Sequence, residues 1–407
     1  MNKKKYDIII IGGGIIGCAI AYSLSKKLRV SIAVIEKENE IAKHASGRNS
    51  GVIHTGFYYT PGSLKARFCV EGNKRLINYC IEENIPYKKT GTLVVGKSQE
   101  DKKNLEILLK RGKKNNVPGI RIINKKELNE MEPFVNGKFA LYSPMGAIVD
   151  AKKLVNSLAS NVQNNGVEFI MNQRVKKIKN IKDEIEISTT NNKFSTKFVI
   201  NCAGVYADTI ARLMNIKLNH HIIPFRGEYF ELPKNKSHLV RSMVYPIPNP
   251  NLPFLGIHLT RTVNNKIILG PNAVLAPGKE AYSNKNINVR ELSNILLYKG
   301  FWKMVYNNYN IIEEEILQSI IRTKFLEKVC DLLPGIKINE LIKNSSGIRA
   351  QLVGNNGELM DDLVVKEGKN ALHILNAVSP GMTCSLPFAD YLVENYVKKY
   401  NFEKEKN

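Results

Sequence analysis

The stretch Tyr6-Asp7-Ile8-Ile9-Ile10-Ile11-Gly12-Gly13-Gly14-Ile15-Ile16-Gly17-Cys18 passes from a short, β-branched apolar run straight into closely spaced glycines. A run of that length and composition reads as a strand buried on both faces. Gly12, Gly14 and Gly17 then supply the spacing Gly-x-Gly-x-x-Gly, and Cys18 to Lys27 continues as a helix with small residues near its start. Val30 to Ile35 is a second buried strand, and Glu36 stands at its end, 19 residues beyond Gly17. Strand, glycines, helix, strand and acid in this order make a dinucleotide-binding unit. Gly12 permits the tight turn, Gly14 the close approach of a pyrophosphate, and Gly17 the packing of helix on strand. The free N–H groups and dipole at the helix start hold phosphate. The Glu36 carboxylate accepts from a ribose diol and repels a 2′-phosphate, which argues against NADP.

The residues around this unit invite other readings. Lys3-Lys4-Lys5 imitates the start of a secretory signal, and Ile15-Ile16-Gly17-Cys18 a lipoprotein cleavage site. The cofactor strand and helix account for the same residues better, so neither a signal peptide nor export is expected. No stretch nears the roughly 18 uninterrupted apolar residues of a membrane-spanning helix. The chain has 407 residues, 43% of them hydrophobic, which is enough to bury a large core and excludes wholesale disorder. Six cysteines without paired spacing make a disulfide framework unexpected. The net charge of +23 suggests nucleic acid or anionic lipid as a partner, but only 14 of the 60 basic residues are Arg and the lysines are scattered. Phosphate and base readout favours Arg. The charge therefore reads as solvated lysine faces, and no nucleic-acid partner is expected. The expected location is the cytoplasm, with peripheral contact at an inner membrane compatible with the lysines.

Two later segments choose between flavin and nicotinamide. Ala45 to Gly56 is a Gly- and Ser-rich loop directly after the ribose-binding strand, suited to wrapping an extended cofactor. Near the C-terminus, the strand Ala371 to Leu375 is followed by Asn376-Ala377-Val378-Ser379-Pro380-Gly381-Met382-Thr383 and a helix from Cys384 to Tyr396. That puts a second helix N-terminus where the ring end of a flavin needs an electropositive partner.

With these residues in view, the chain resembles the FAD-dependent D-amino-acid oxidase superfamily, and within it the L-2-hydroxyglutarate dehydrogenase/oxidase group. The resemblance runs nearly end to end. It includes Asn49-Ser50-Gly51-Val52-Ile53-His54, Tyr58-Tyr59, Gly62 to Cys69, Pro224 to Phe230 and Tyr245 to Pro248. It continues through Pro253 to Thr260, Leu269 to Ala276, Gly347-Ile348-Arg349-Ala350-Gln351 and Asp361-Asp362. The chain departs from the group at Arg48, where a His is usual, and at Gly381-Met382.

The resemblance implies an α/β fold: a discontinuous Rossmann-like FAD-binding domain (1–85, 146–217 and 345–407) and an α+β substrate domain (86–145 and 218–344) on an antiparallel sheet. It implies FAD, expected to be noncovalent, held by Gly12, Gly14, Ile15, Ile16, Gly17, Glu36, Lys37, Ser46, Asn49, Ser50, Gly51, Val175, Ala203, Gly204, Ser379, Pro380, Gly381, Met382 and Thr383. It also implies oxidation of L-2-hydroxyglutarate to 2-oxoglutarate, with a quinone or oxygen as electron acceptor. The rivals are a related FAD oxidoreductase acting on glycerol 3-phosphate or an amino acid and, more remotely, a basic flavoprotein binding RNA.

Oxidising a 2-hydroxy diacid needs a base and at least two sets of cations or donors. His54, in a tight loop before Gly56, is the first candidate base, and His258 on a substrate-domain strand the second. Arg349 and Arg226 are the first choices for carboxylate capture, because the guanidinium fork matches a carboxylate. Arg261, Lys65 and Tyr245 follow as substrate-binding candidates. Asp361-Asp362 has no His/Cys cluster beside it and is read as capping or solvated, so no metal is expected.

Overall fold

The computed structural model describes residues 3–248, 256–283, 285–400 and 402. The first strand, Lys4–Ile11, lies at the middle of an eight-stranded sheet, with parallel neighbours Ile32–Ile35 on one side and Lys193–Asn201 on the other. Parallel pairing on both edges buries both faces, which is why Ile8 to Ile10 are fully buried and every one of these positions is apolar. Ala371–Asn376 extends the parallel core beyond Lys193–Asn201, while Val175–Ile181 and Glu184–Thr189 add antiparallel strands. The helix Ile15–Lys27 covers one face beside two others, Ala151–Asn164 and Gly381–Leu392.

The helix Leu64–Glu82 packs against Gly381–Leu392 at a point where a Cβ on Gly72 would lie 2.0 Å from the Thr383 carbonyl oxygen. Only glycine allows that approach. The orphan N–H groups of the first turn of this helix are taken up locally. Ala66 N–H donates to Ser63 Oγ (3.1 Å), and Leu64 and Lys65 N–H donate to the two oxygens of Asp362 (3.0 and 2.9 Å).

The second sheet has nine strands and a mixed order: one parallel join, Thr92–Gly96 with Met243–Tyr245, interrupts the expected antiparallel pattern. Its longest pair is His220–Glu231 with Ile342–Gly354, hydrogen-bonded from His220↔Gly354 to Glu231↔Ile342. The proposed domain boundary at 345 falls inside this continuous strand.

Three stretches whose sequence pattern reads as single elements, a strand at Lys88 to Val95 and helices at 287–309 and 311–329, are divided in the structure. Lys88 to Val95 forms two strands, Tyr87–Lys89 and Thr92–Gly96, in different sheets, with Gly91 at φ +72° between them. The long helical patterns of 287–309 and 311–329 become four helices, Val289–Leu296, Lys299–Asn307, Tyr309–Ile320 and Arg322–Leu332. Tyr298 and Ile321 are extended at the breaks, and Tyr298 Oη donates to the Val353 carbonyl (2.9 Å), pinning one break to the long strand pair. The apolar pattern Phe254 to Leu259 reads as a strand; the strand there is His258–Arg261, and Phe254 and Leu255 lie outside the described residues.

Candidate active site

At the glycine turn, Gly12 has φ +112°, and a Cβ there would lie 2.5 Å from the Cys202 carbonyl oxygen. A Cβ on Gly17 would lie 2.0 Å from the Gly12 carbonyl. The helix starts at Gly14 without a side-chain cap from its own N-cap residue; instead Ile15 N–H donates to Ser46 Oγ (2.9 Å), which brings the Ala45–Gly47 turn to the phosphate end. Glu36 accepts from Gly13 N–H (2.8 Å) and Glu38 N–H (3.0 Å), so its carboxylate is anchored at the strand end where a ribose would lie.

The neighbouring loop is held by its own side chains. Asn49 Nδ2 donates to the Ala45 and Ser46 carbonyls, and its Oδ1 accepts from Gly51 N–H (2.8 Å). Gly51 lies against the Val149 carbonyl, and the half-buried Ser50 sits between these two anchors. Val175 and Ala203 pack beside Ile11 and Ile35, and Gly204 begins a 3-10 turn, Gly204–Tyr206. Lys37 is drawn into a cluster with Glu38, His44 and Glu280 (2.8 Å to Glu280). Arg48 donates to the Lys43 and Ser346 carbonyls and lies over the Tyr282 ring (4.1 Å), packing the loop onto the long strand pair.

The C-terminal loop reaches His54. Its Nε2 lies 3.3 Å from Ser379 Oγ, while its backbone N–H donates to Thr383 Oγ1 (3.0 Å) and its carbonyl accepts from Asn73 Nδ2 (3.0 Å). Gly381 N–H bonds the Val378 carbonyl, Pro380 is the N-cap residue of the same helix, and Met382 packs against the main core, as does Ile16. Burial, with the charges of His258, Lys65 and Arg349, pushes the His54 imidazole down to about 4. His54 is therefore neutral at physiological pH and ready to take a proton.

His258 Nδ1 lies 3.1 Å from the Gly256 carbonyl, and its ring stacks on Tyr245 (centroids 4.3 Å apart, 18° between planes). Burial alone is its main downward pressure, also to about 4. Tyr245 is buried, and its hydroxyl has no hydrogen-bond partner among the described residues. A buried hydroxyl left unsatisfied costs free energy unless a ligand supplies the partner.

Arg349 stands opposite Phe225 in the long strand pair. Burial lowers its pKa, and Tyr59, Asp361, Tyr58 and Tyr229 act against that shift, so four polar side chains face this guanidinium. Lys65 is 1% exposed, with Nζ 3.3 Å from Asp361 and 5.8 Å from the Tyr59 ring centre. Its side chain is buried although it lies in the first turn of a helix.

Two predicted substrate ligands stand apart. Arg226 pairs with Ile348, one step along from Arg349, so strand alternation puts the two arginines on opposite faces. Arg226 Nη2 donates to Glu228 (3.2 Å). Arg261 alternates away from His258 on its strand and donates to Asn265 and the Val240 carbonyl. Sequence reasoning gave no role to Tyr59, Tyr229 or Asp361. The signals for them were the tyrosine pair at 58–59, the run Pro224 to Phe230 and the acid pair at 361–362.

A dinucleotide cradle joined to a cluster of two neutral imidazoles, two buried basic side chains and several phenols is the arrangement of a cofactor-dependent oxidoreductase acting on an anion. The chain belongs to the FAD dependent oxidoreductase family, whose model matches residues 7–395. It is 40% identical over 398 residues to an L-2-hydroxyglutarate dehydrogenase from Indibacter alkaliphilus, covering 97% of this chain and all of that one. The human mitochondrial L-2-hydroxyglutarate dehydrogenase is 34% identical, covering 98% of this chain and 90% of its own. Among solved structures, L-alpha-glycerophosphate oxidase from Mycoplasma pneumoniae, determined with FAD bound, superposes with a TM-score of 0.79 at 24% identity, covering 97% and 95% of the two chains. That likeness carries the fold, and the higher identity favours the hydroxyglutarate group over glycerol 3-phosphate.

The residues fit FAD: the crowded glycines leave backbone N–H groups at the helix start, Glu36 is fixed at the ribose position, and the Ser379–Thr383 loop closes on His54. Gly12→Ala should cost about 2–4 kcal/mol through the positive φ and the clash with Cys202. The expected result is protein purified with little flavin and a lowered Tm. Full flavin occupancy would show that the turn tolerates the methyl group.

Proposed function

We propose that the chain oxidises L-2-hydroxyglutarate to 2-oxoglutarate. The observation that carries this reading is that His258, Lys65 and Arg349 all act on His54, while His258 stacks on Tyr245, whose buried hydroxyl has no partner among the described residues, beside the loop that bonds the His54 backbone. Bound FAD, held noncovalently, supplies the two-electron acceptor for the C2 hydride. His54 takes the C2 hydroxyl proton. Arg349 and Lys65 provide the two cations that a dicarboxylate requires, Tyr245 donates to a carboxylate oxygen, and His258 fixes the Tyr245 ring by stacking on it. Electrons leave the enzyme to a quinone or to oxygen. No helix of the described residues is long and apolar enough to cross a membrane.

Anaerobic flavin bleaching by a panel of hydroxy acids, amino acids and glycerol 3-phosphate tests the substrate. L-2-hydroxyglutarate is expected to bleach fastest; bleaching by glycerol 3-phosphate alone would reject the reading. The pH profile gives a second test. The His54 pKa lies well below its ordinary 6.5, so kcat/KM should hold down to about pH 5 and fall below that as the imidazole protonates. A bound dianion offsets Lys65 and Arg349 and favours the protonated ring. The acid limb of kcat should therefore lie at higher pH than that of kcat/KM. Limbs in the reverse order would remove His54 as the base.

A further inference from the structure

Asp361 and Asp362 are adjacent in the chain, yet the structure holds their carboxylates in different ways. Two fully buried amides fix the main chain of this turn. Gln351 Nε2 donates to the Met360 carbonyl (2.9 Å), and Asn376 Nδ2 donates to the carbonyls of Met360 (3.1 Å) and Asp362 (2.6 Å). The Asp362 carboxylate accepts from backbone N–H groups only: those of Leu64 and Lys65 at the helix start, and that of Leu363 (2.8 Å). The Asp361 carboxylate has one hydrogen-bond partner among the described residues, Lys65 Nζ.

That ion pair is lopsided. The Lys65 side chain is 2% exposed and the Asp361 side chain 56%. The carboxylate can turn into water at little cost, because a pair with one exposed partner is weak. The amine cannot follow it and needs another anion in its place. Burial lowers the pKa of Lys65, and Asp361 is the carboxylate that opposes this shift. Asp361 is also the one carboxylate among the groups acting on Arg349, the others being phenols. A ligand carboxylate that approaches Lys65 therefore meets Asp361 at close range and is repelled by it.

We propose that Asp361 determines specificity for a dicarboxylate by standing in for its distal carboxylate: it holds Lys65 between turnovers and turns out to solvent when the second carboxylate arrives. The inference rests on the reading of the pocket as a dicarboxylate site. Exchanging one anion for another keeps Lys65 paired throughout, and the returning Asp361 helps to expel the product dianion. A monocarboxylate bound at Arg349 leaves the Lys65–Asp361 pair in place against its tail.

The test titrates holoenzyme with glutarate and with pentanoate, which share a chain length and differ by one carboxylate. The shift of the oxidised flavin spectrum gives a Kd for each without turnover. Asp361→Asn keeps the size of the side chain and removes the competing charge. It should tighten glutarate by about tenfold, the half-exposed charge being partly screened, and leave pentanoate within about threefold of the parent. The inhibition constant of 2-oxoglutarate should fall with the glutarate Kd, while kcat does not rise. Asp361→Glu should restore the parent ratio of the two constants. Flavin content and Tm should match the parent in both variants, since the turn hangs on Gln351, Asn376 and Asp362. Glutarate binding that is unchanged or weaker in Asp361→Asn overturns the inference. So does equal tightening of both ligands, or a parent spectrum that glutarate does not move. Bleaching of the parent by L-2-hydroxyglutarate is read separately: its absence rejects the substrate reading, while the two dissociation constants still decide the role of Asp361.

Discussion

Arg349→Ala should lower kcat/KM for L-2-hydroxyglutarate by about a thousandfold, most of it in KM. Removing one partner of a buried charge pair costs about 2–5 kcal/mol, and each 1.4 kcal/mol is about tenfold. Arg349 sits in the upper part of that range because its surroundings are phenols and the half-exposed Asp361, so a substrate carboxylate is met at low dielectric. The strand it occupies is held by backbone bonds to His220–Glu231, which an alanine leaves intact. Flavin content and Tm should therefore stay close to the parent. Arg349→Lys should recover only part of the loss, since an ammonium cannot reproduce the two-pronged contact. A kcat/KM within about threefold of the parent would take Arg349 out of the substrate site.

His54→Ala should lower kcat by about 10²–10⁴-fold with little change in KM, the range for loss of a general base. The main-chain contacts of His54, its N–H to Thr383 and its carbonyl to Asn73, do not involve the ring. Only the 3.3 Å approach to Ser379 Oγ disappears, so the loop should keep its course. The acid limb of the pH profile should vanish with the ring, an effect that a merely structural histidine would not produce. Unchanged kcat with an unchanged limb would move the base to another group, with His258 next in position.

The cofactor half of the molecule was legible because its constraints are local. Gly12, Gly14, Gly17 and Glu36 meet within one β-α-β unit, and each is demanded by a turn, a close approach or an anchored carboxylate. The substrate half was legible only in part, because its chemistry depends on strand register. Arg226 and Arg349 look equivalent in sequence, yet the pairing of Phe225 with Arg349 turns them to opposite faces. Arg261 is lost to the same alternation beside His258. The burial of Lys65 was hidden for the converse reason: nothing local shows that Asp361, almost 300 residues away, meets this first-turn lysine. The helix breaks at Tyr298 and Ile321 also escaped pattern reading, since the first is set by a hydroxyl reaching Val353 on a distant strand.

The strand Ala371–Asn376 completes the parallel core against Lys193–Asn201, and Gly381–Leu392 presses on both Ile15–Lys27 and Leu64–Glu82. The nucleotide signature thus lies within residues 4–36, while two of its packing partners lie at 371–392, far later in the order of synthesis. During synthesis at about 5–20 residues per second, the nascent chain waits with its apolar edge uncovered until that C-terminal strand and helix arrive. Closure of the cofactor half should therefore come late in synthesis, and chaperone dependence should be greatest in the interval just before it.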